Sequence, residues 1–450
     1  MTLRLALAAV LIVLSAGCAE RRDDPPDGAF RFVHAAPTLG AAAFLLEERA
    51  QGSLIYTSGT GAQPLDSGPF DFNVELPADG VNELERQVRQ AVTIEAERLH
   101  TLVLFDDGGP SLVDYVRDFP DVASGSAEIQ LLHAARGAAA VDLYIEADGA
   151  DLSAATPRST LGFRDIGEPF QLPAGDYRLS LTVPGDPASV LFRSGVFGVA
   201  DGGSYLLSVF ATFGLSAADL RASLLERGST QAAVINDSLV APVFKVVHGG
   251  AGVGNVDVVV DGDFAAPVHA DVAPGVVTAF ADLTAGSRQF QVTPAGDMGV
   301  IEADVTQTLA NGGIYAQVIS GTAGDVDAPL YIDDNRGVQA RARYRLRHAA
   351  ANVPAVTYYL TEPGAGIVDA TPVVTALQAG IAEFAATVLP GDYDLVFVEN
   401  DGDAATEDTT VVAGPVPVTF DELRVYEIYL LDGAVAGEVE VSVTDVTAMP

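Results

Sequence analysis

Four of the six histidines stand at one place in a recurring phrase, and histidine suits both acid–base chemistry and metal binding near neutral pH. Each is followed by Ala-Ala or Gly-Gly, and the spacings are 99, 115 and 100 residues: His34, His133, His248 and His348. A metal site needs several converging ligands, but no copy has a second histidine close by. Neither Gly-x-Ser-x-Gly nor His-Glu-x-x-His occurs. The pattern favours a structural histidine whose ring nitrogens bond backbone groups of the following loop.

Aspartates offer a second kind of chemistry. Asp142 and Asp257 each follow the repeated histidine by nine residues, and we interpret them as loop-bonding groups beside it. Acidic turns could supply oxygen ligands to calcium, and the candidates are Asp325, Asp327, Asp333, Asp401 and Asp403. Turns are also rich in Asp and Gly for conformational reasons alone. The sequence therefore predicts no catalytic residue, no metal and no cofactor, with calcium as the open alternative.

The charge balance narrows the class of partner. The chain has 61 acidic and 24 basic residues, a net charge of −37, and Lys245 is its only lysine. Such a surface repels nucleic acid, so we expect no nucleic-acid partner. With 49% hydrophobic residues, the chain has enough apolar material for several cores and is not disordered.

The N-terminal segment reads as an export signal. In residues 1–17, Arg4 precedes an apolar run that is short for a transmembrane helix. The following Leu14-Ser-Ala-Gly-Cys18 resembles the lipobox of bacterial lipoproteins, and Cys18 is the only cysteine. The resemblance implies lipidation of Cys18 and a polar tether over residues 18–28. Ala19 after the cysteine favours the outer membrane. We expect an exported protein held by its lipid anchor, and the lone cysteine excludes an intrachain disulfide.

A phrase that recurs about every hundred residues predicts tandem copies of one module. We place the copies at residues 29–122, 123–237, 238–338 and 339–450. Within a copy, short alternating runs such as Val141-Asp-Leu-Tyr-Ile145 recur between Gly, Pro and Asp turns, the rhythm of an all-β sandwich. The expected architecture is four β-sandwich domains arranged as beads on a string.

One segment of the second copy is ambiguous. Ser216-Ala-Ala-Asp219 resembles a helix capping box, so a short helix could replace or precede the last strand between residues 216 and 226. Such a helix would account for the longer spacing of 115 residues before His248.

The repeated line, with His-Ala-Ala, Val-Asp-x-Tyr, Pro-Ala-Gly-Asp-Tyr and a late Tyr-x-Leu-x-Val-Phe, resembles the bacterial domain of unknown function DUF4397. Copies two and three match best, through Val141-Asp142-Leu143-Tyr144 and Val256-Asp257-Val258-Val259. The fourth copy has Thr357 in place of the aspartate, and the first departs after Val33-His34-Ala-Ala-Pro37. The resemblance implies an immunoglobulin- or transthyretin-like sandwich and no assigned catalytic residue.

Together these features predict a non-enzymatic lipoprotein of the cell envelope. Its sandwiches would form a binding, adhesive or spacer array on the surface or in the periplasm, anchored to the membrane and facing an unknown protein or polysaccharide partner. Two alternatives stay open: a calcium-stiffened rod, and a metal-assisted hydrolase with its site between domains.

Overall fold

A computed structural model describes residues 27–77, 84–353, 355–380, 383–399, 409–433 and 438–447. In these ranges the chain is built of β-strands and has no α-helix; a single 3-10 turn spans Leu152–Ala154. None of these residues forms a helix long and apolar enough to span a membrane. The all-β prediction is confirmed.

The first two sandwiches are formed by strands β1 to β18. Those of the first sandwich are β1 Gly28–His34, β2 Ala42–Leu46, β3 Arg49–Leu54, β4 Gln63–Leu65, β5 Gly68–Pro77, β6 Leu84–Ile94, β7 Arg98–Phe105 and β8 Ser111–Asp118. Those of the second are β9 Ser126–His133, β10 Val141–Ala147, β11 Ser159–Leu161, β12 Phe170–Pro173, β13 Gly175–Val183, β14 Asp186–Arg193, β15 Phe197–Val199, β16 Ser204–Ala211, β17 Leu220–Glu226 and β18 Ala233–Ile235.

The third and fourth sandwiches repeat this order. The third contains β19 Val243–His248, β20 Val256–Val260, β21 His269–Val272, β22 Ala281–Asp282, β23 Gly286–Pro294, β24 Ala303–Leu309, β25 Ile314–Thr322, β26 Asp325–Asp327 and β27 Leu330–Ile332. The fourth contains β28 Ala342–His348, β29 Ala355–Thr361, β30 Val374–Gln378, β31 Glu383–Val388, β32 Gly391–Glu399, β33 Val411–Phe420, β34 Val425–Asp432 and β35 Val439–Asp445.

Each sandwich has two sheets with the same strand order. In the first, the front sheet is β4-β1-β7-β8 and the back sheet is β3-β2-β5-β6. The corresponding front sheets are β12-β9-β16-β17-β18, β22-β19-β25-β26 with β27 beside β25, and β31-β28-β34-β35. The two central front strands, β1 and β7 in the first sandwich, run parallel, and the other pairs are antiparallel. This order differs from the immunoglobulin constant-type order, ABED and CFG.

The short helix that the sequence left open near residues 216–226 does not form. Residues 220–226 form strand β17, which pairs along its whole length with β16. The Ser216 hydroxyl accepts the Ala218 backbone N–H at 3.1 Å, so the capping-type contact is made in a turn and not in a helix. The additional length before His248 contains β18, which extends the front sheet beyond β17.

The central front strands are buried on both faces. Side chains alternate along β1, so Phe30 and Phe32 enter the core of the first sandwich, whereas Val33 and Ala35 face the second sandwich. Strands β1, β19 and β34 are buried at every position. Sheets covered on both sides have nearly continuous apolar strands, and here the second cover is another sandwich.

The sandwiches therefore pack in pairs through their front sheets, a feature that the expectation of beads on a string omits. The apolar contact between the first and second sandwiches contains Val33, Ala35, Tyr56, Val103, Phe105, Leu132, Ala134, Leu206, Phe210 and Leu225. The contact between the third and fourth contains Val247, Val318, Ala349, Tyr429 and Leu431.

Contacts between the two pairs connect them into one body. The Ser216 hydroxyl of the second sandwich donates to the Gly312 carbonyl of the third at 2.7 Å. Arg336, in the segment between the third and fourth sandwiches, donates to the Pro37 carbonyl of the first at 3.1 Å. These contacts join residues about 100 and 300 positions apart in the chain, so the relative placement of the pairs does not depend on the connecting segments alone.

Gly249 provides a test of the pairing between the third and fourth sandwiches. A Cβ atom at this glycine would lie 2.3 Å from the Ala349 Cβ and 2.9 Å from its carbonyl oxygen. We expect Gly249→Ala to lower the free energy of unfolding by about 2 kcal/mol, because the two front sheets would have to separate. Gly228→Ala is the matched control, since a Cβ at Gly228 meets nothing within 4 Å. Equal denaturant midpoints for the two variants would contradict the close packing.

Candidate functional site in the paired front sheets

The repeated histidine ends the first strand of each sandwich and bonds the loop that follows. Its Nδ1 accepts the backbone N–H two residues on, at 3.3 Å in each of three copies: Ala36 to His34, Ala135 to His133 and Ala350 to His348. Its Nε2 donates to the carbonyl six residues on: Gly40 at 3.0 Å, Ala139 at 3.1 Å and Gly254 at 2.6 Å. The sixth residue after His348 lies outside the described residues. These bonds require a neutral ring with its proton on Nε2.

Burial favours that neutral form. Desolvation lowers the pKa of all four imidazoles, and it lowers the pKa of His34 and His348 to about 4. In His34 and His133 both ring nitrogens have backbone partners. Neither ring has a nitrogen left to bind a metal or to accept a proton from a substrate.

Asp142 and Asp257 bond a different loop from the one that the sequence suggested. Asp142 accepts the Thr160 hydroxyl and the Gly185 backbone N–H, the latter at 2.7 Å. Asp257 accepts the backbone N–H groups of Asp271 at 2.7 Å and Gly296 at 2.9 Å. Each aspartate thus ties the second strand of its sandwich to the turn between the fifth and sixth strands. Their hydrogen bonds go to that turn and to the third-strand region, not to the histidine loop.

The calcium candidates do not come together. Asp325 and Asp327 are exposed at the two ends of β26, whereas Asp333 is buried and accepts Arg347 Nη2 at 2.5 Å. Asp401 and Asp403, like Cys18, lie outside the described residues. Within the described ranges, no group of three or more His, Cys, Asp or Glu side chains is arranged to hold a metal ion.

A buried cluster of charges between the third and fourth sandwiches is the feature that sequence reasoning missed. Three cations and three carboxylates form it: Lys245, Arg345, Arg347, Asp333, Glu383 and Glu427. Lys245 Nζ lies 2.5 Å from Glu427 Oε2, and Arg345 Nη2 lies 2.8 Å from Oε1. Burial alone would raise the pKa of Glu427, but Lys245, Arg345 and Arg347 hold it well below its usual range. We call these six residues the ionic lock, because their ion pairs join the paired front sheets of the third and fourth sandwiches.

The sequence contained a signal for this cluster. Lys245, the only lysine, stands three residues before His248, and the other residues of its strand before the histidine are apolar. Arg31 and Arg345 occupy the same position before His34 and His348. Because a cation in a strand buried on both faces needs a partner from the sheet opposite or beside it, this position predicts a contact across an interface.

In the first pair of sandwiches Thr101 stands where the fourth sandwich has Glu427, and the buried carboxylate is Glu128 of the second sandwich, which pairs with Arg117 of the first. Thr101 pairs with Arg31 on the neighbouring strand, as Glu427 pairs with Arg345 in the fourth sandwich. Arg31 Nε donates to the Thr101 hydroxyl at 2.9 Å, but its two Nη atoms are buried with no partner among the described residues. Desolvation lowers the pKa of Arg31 to about 9, so the group is still charged at pH 7. Glu128 favours the charged form of Arg31 but accepts no hydrogen bond from it, and two buried donors without an acceptor are destabilising.

A second carboxylate shows how the two pairs correspond. Asp106 accepts the Thr38 backbone N–H at 2.8 Å within the first sandwich and Arg136 Nη1 of the second at 3.0 Å. Asp432 accepts the Asn352 N–H at 3.0 Å within the fourth sandwich and the Ala251 N–H of the third at 3.1 Å. The first sandwich therefore faces the second as the fourth faces the third.

The histidines make stability depend on pH. The pKa of each imidazole is lowered in the folded protein relative to about 6.5 in the unfolded chain, so unfolding takes up protons below that pH. We expect the free energy of unfolding to fall as the pH decreases from about 6.5 to about 4, with His34 and His348 each contributing about 2 kcal/mol of the loss at pH 5. Urea unfolding of the parent and His34→Asn across this range measures it. An equally steep fall in the variant would contradict the assignment to His34.

Thr101→Glu tests the missing carboxylate. The new side chain would stand beside Arg31 as Glu427 stands beside Arg345, so we expect the free energy of unfolding at pH 7 to rise by about 1–3 kcal/mol. Thr101→Gln is the matched control, with the same shape and no charge. If the two variants have the same stability in urea, the Arg31 guanidinium does not lack the charged acceptor that the contacts indicate.

Comparison with known proteins was made on sequence and on structure. The family model "Domain of unknown function (DUF4397)" matches residues 28–144 and 242–359, together more than half of the 450 residues. Each match begins at a first strand and ends within the second strand of the paired sandwich, so each contains both histidines of a pair. No curated protein matches the chain.

Among solved structures, the chain is similar to one described as the Bacillus anthracis TIE protein. The sequence identity is 13% and the TM-score 0.16, with 90% of this chain and 68% of that chain covered. A score this low supports no conclusion about function. The family match rests instead on two separate stretches, both of which carry the repeated histidine. The chain belongs to the family of the domain of unknown function DUF4397.

Proposed function

We propose that the chain is an exported, lipid-anchored protein of the cell envelope whose paired sandwiches form a rigid, non-enzymatic binding scaffold. The observation that carries the proposal is the use made of the repeated histidine. This histidine is buried in each of the four copies, and in His34 and His133 backbone groups take both ring nitrogens. A histidine that bonds the following loop in this way fixes the conformation of that loop, and with it the shape of the surface that the sandwich presents.

The pairing of the front sheets supports a scaffold more than a flexible spacer. Flexible tandem domains gain reach from their linkers, whereas here the pairs share apolar contacts and the third and fourth sandwiches share a buried ionic lock. The faces left for partners are the back sheets and the loops at the ends of the sandwiches. A body of fixed shape can present several such surfaces to one partner at once, which increases affinity without any single strong site.

The lipid anchor rests on the sequence pattern that ends at Cys18, and one substitution tests it. We expect the full-length protein to partition into the detergent phase of a membrane extract, with acyl chains on Cys18 detectable by mass spectrometry. Cys18→Ser removes the acceptor sulfur, so the variant should move to the aqueous phase. Glu20→Gln is the control, because it changes a nearby residue outside the Leu14–Cys18 motif and keeps the cysteine. If Cys18→Ser partitions like the parent, there is no anchor at this residue.

Protease treatment of intact cells then distinguishes the two faces of the envelope. Peptides from residues 29–450 released without lysis would place the scaffold on the cell surface and favour an extracellular protein or polysaccharide as its partner. Protection until the outer membrane is opened would place it in the periplasm and would exclude an adhesive role.

A further inference from the structure

The second sandwich has a cavity of about 420 Å³ at the end where its histidine loop lies. It opens between the loop after β9 and the connection from β16 to β17. Ala138, Ala211 and Leu220 give it apolar walls, whereas Arg136 and Asp219 bring opposite charges to it. A concave site with apolar walls and few charged groups is the usual form of a small-molecule site.

Phe213 lines this cavity in an unusual conformation. Its φ of 51° lies in the left-handed region, which bulky residues rarely adopt, and 42% of its surface is exposed. The next residue, Gly214, accepts the Asn335 N–H at 2.9 Å, and Ser216 donates to Gly312 of the third sandwich at 2.7 Å. The connection is thus held from outside the second sandwich. Strained residues that their surroundings hold in place cluster at functional sites.

Arg136 is fixed at the other side of the cavity. Its Nη1 donates to Asp106 of the first sandwich at 3.0 Å, and the Asp106 side chain is only 1% exposed, while that of Arg136 is 36% exposed. The ion pair uses one edge of the guanidinium and orients the rest. A guanidinium held in this way can form two parallel hydrogen bonds with a carboxylate.

Two further arginines lie behind the wall of the cavity. The Tyr56 hydroxyl donates to the Ala211 carbonyl at 2.6 Å, and the Arg336 guanidinium lies 5.2 Å from the Tyr56 ring centre. Arg221 follows Leu220 of the cavity wall, and its Nε is buried with no hydrogen-bond partner among the described residues. Arg136 is paired with Asp106, and Arg336 Nη2 lies 3.8 Å from Asp334 Oδ2, so these arginines offer oriented hydrogen-bond donors and not a net positive charge.

We propose that this cavity binds a small ring compound with one carboxylate, which Arg136 holds while the ring packs on Phe213. The net charge of −37 and the carboxylate of Asp219 disfavour polyanions, so the ligand carries a single negative charge. Sugar acids and aromatic acids share this chemistry. The inference deepens the proposed binding role and rests on it, since it names the class of ligand that one sandwich of the scaffold takes.

Calorimetric titration of the purified full chain tests the site with four probes. Glucuronate and benzoate carry the carboxylate, and glucose and benzyl alcohol are their neutral counterparts. We expect one of the two acids to bind at least about tenfold more tightly than its neutral counterpart. The acid that does so shows whether the ligand is a sugar acid or an aromatic acid. No binding of either acid up to about 10 mM, or equal binding of acid and neutral probe, would overturn the proposal.

Two variants locate the site. Arg136→Gln should weaken binding of the preferred acid at least about tenfold, and Arg178→Gln is the control, because Arg178 belongs to the same sandwich but pairs with Asp148 away from the cavity. Phe213→Gly removes the ring and suits the left-handed backbone, so the melting temperature should hold or rise while binding weakens.

Unchanged binding in both variants would place the ligand elsewhere and overturn the proposal. These titrations use purified protein, so they are independent of the anchor. If the protein fractionates with the envelope but binds neither acid, the scaffold proposal stands and only the proposed ligand site is overturned.

Discussion

Every sandwich in this chain has a front sheet that must be covered twice. Its back sheet covers one face, and the other would expose residues such as Val33, Val103 and Phe105 to water. Burying apolar surface contributes roughly 25 cal/mol per Å², so an uncovered front face is strongly unfavourable. Pairing with a second sandwich removes that cost. The arrangement of the four copies as two pairs follows from this requirement, and so does the continuous burial of the central strands.

Charge then distinguishes one pair from the other. Between the third and fourth sandwiches, Lys245 and Arg345 share Glu427, and the ions inside the interface are matched. Between the first and second, apolar contacts are more extensive, Arg117 pairs with Glu128 and Arg136 with Asp106. Arg31 has only the Thr101 hydroxyl as a hydrogen-bond partner among the described residues. A buried ion pair adds little net stability over well-packed apolar residues, but removing one partner is costly. Both pairs therefore combine apolar contacts with ion pairs, but in the first pair one buried cation, Arg31, keeps two donors without an acceptor.

Much of the fold could be predicted from local patterns. Alternating runs between turns gave the strands, and the histidine phrase gave the number of sandwiches. The capping-box motif at Ser216 misled because its hydroxyl makes the same local bond in a turn. The pairing of the front sheets was not predicted because the partners lie in different sandwiches. Lys245 and Glu427, for example, are 182 positions apart in the chain. Only the conflict between a charge and an apolar strand pointed to it, and no local rule says which sandwich supplies the partner.

The candidate site was still harder to foresee. Nothing in the sequence marks Arg136 or Phe213, and the contacts that hold the two loops of the cavity involve Asp106 and Gly312 in two other sandwiches. The lock between the third and fourth sandwiches has a further consequence for how the chain assembles. Four similar front sheets on one polypeptide invite mismatched partners while the protein folds. If the third sandwich met the first, Lys245 would be buried against Thr101 and Arg31 instead of Glu427, with no anion to neutralise it. Lys245 thus favours pairing of the third sandwich with the fourth and disfavours its pairing with the first.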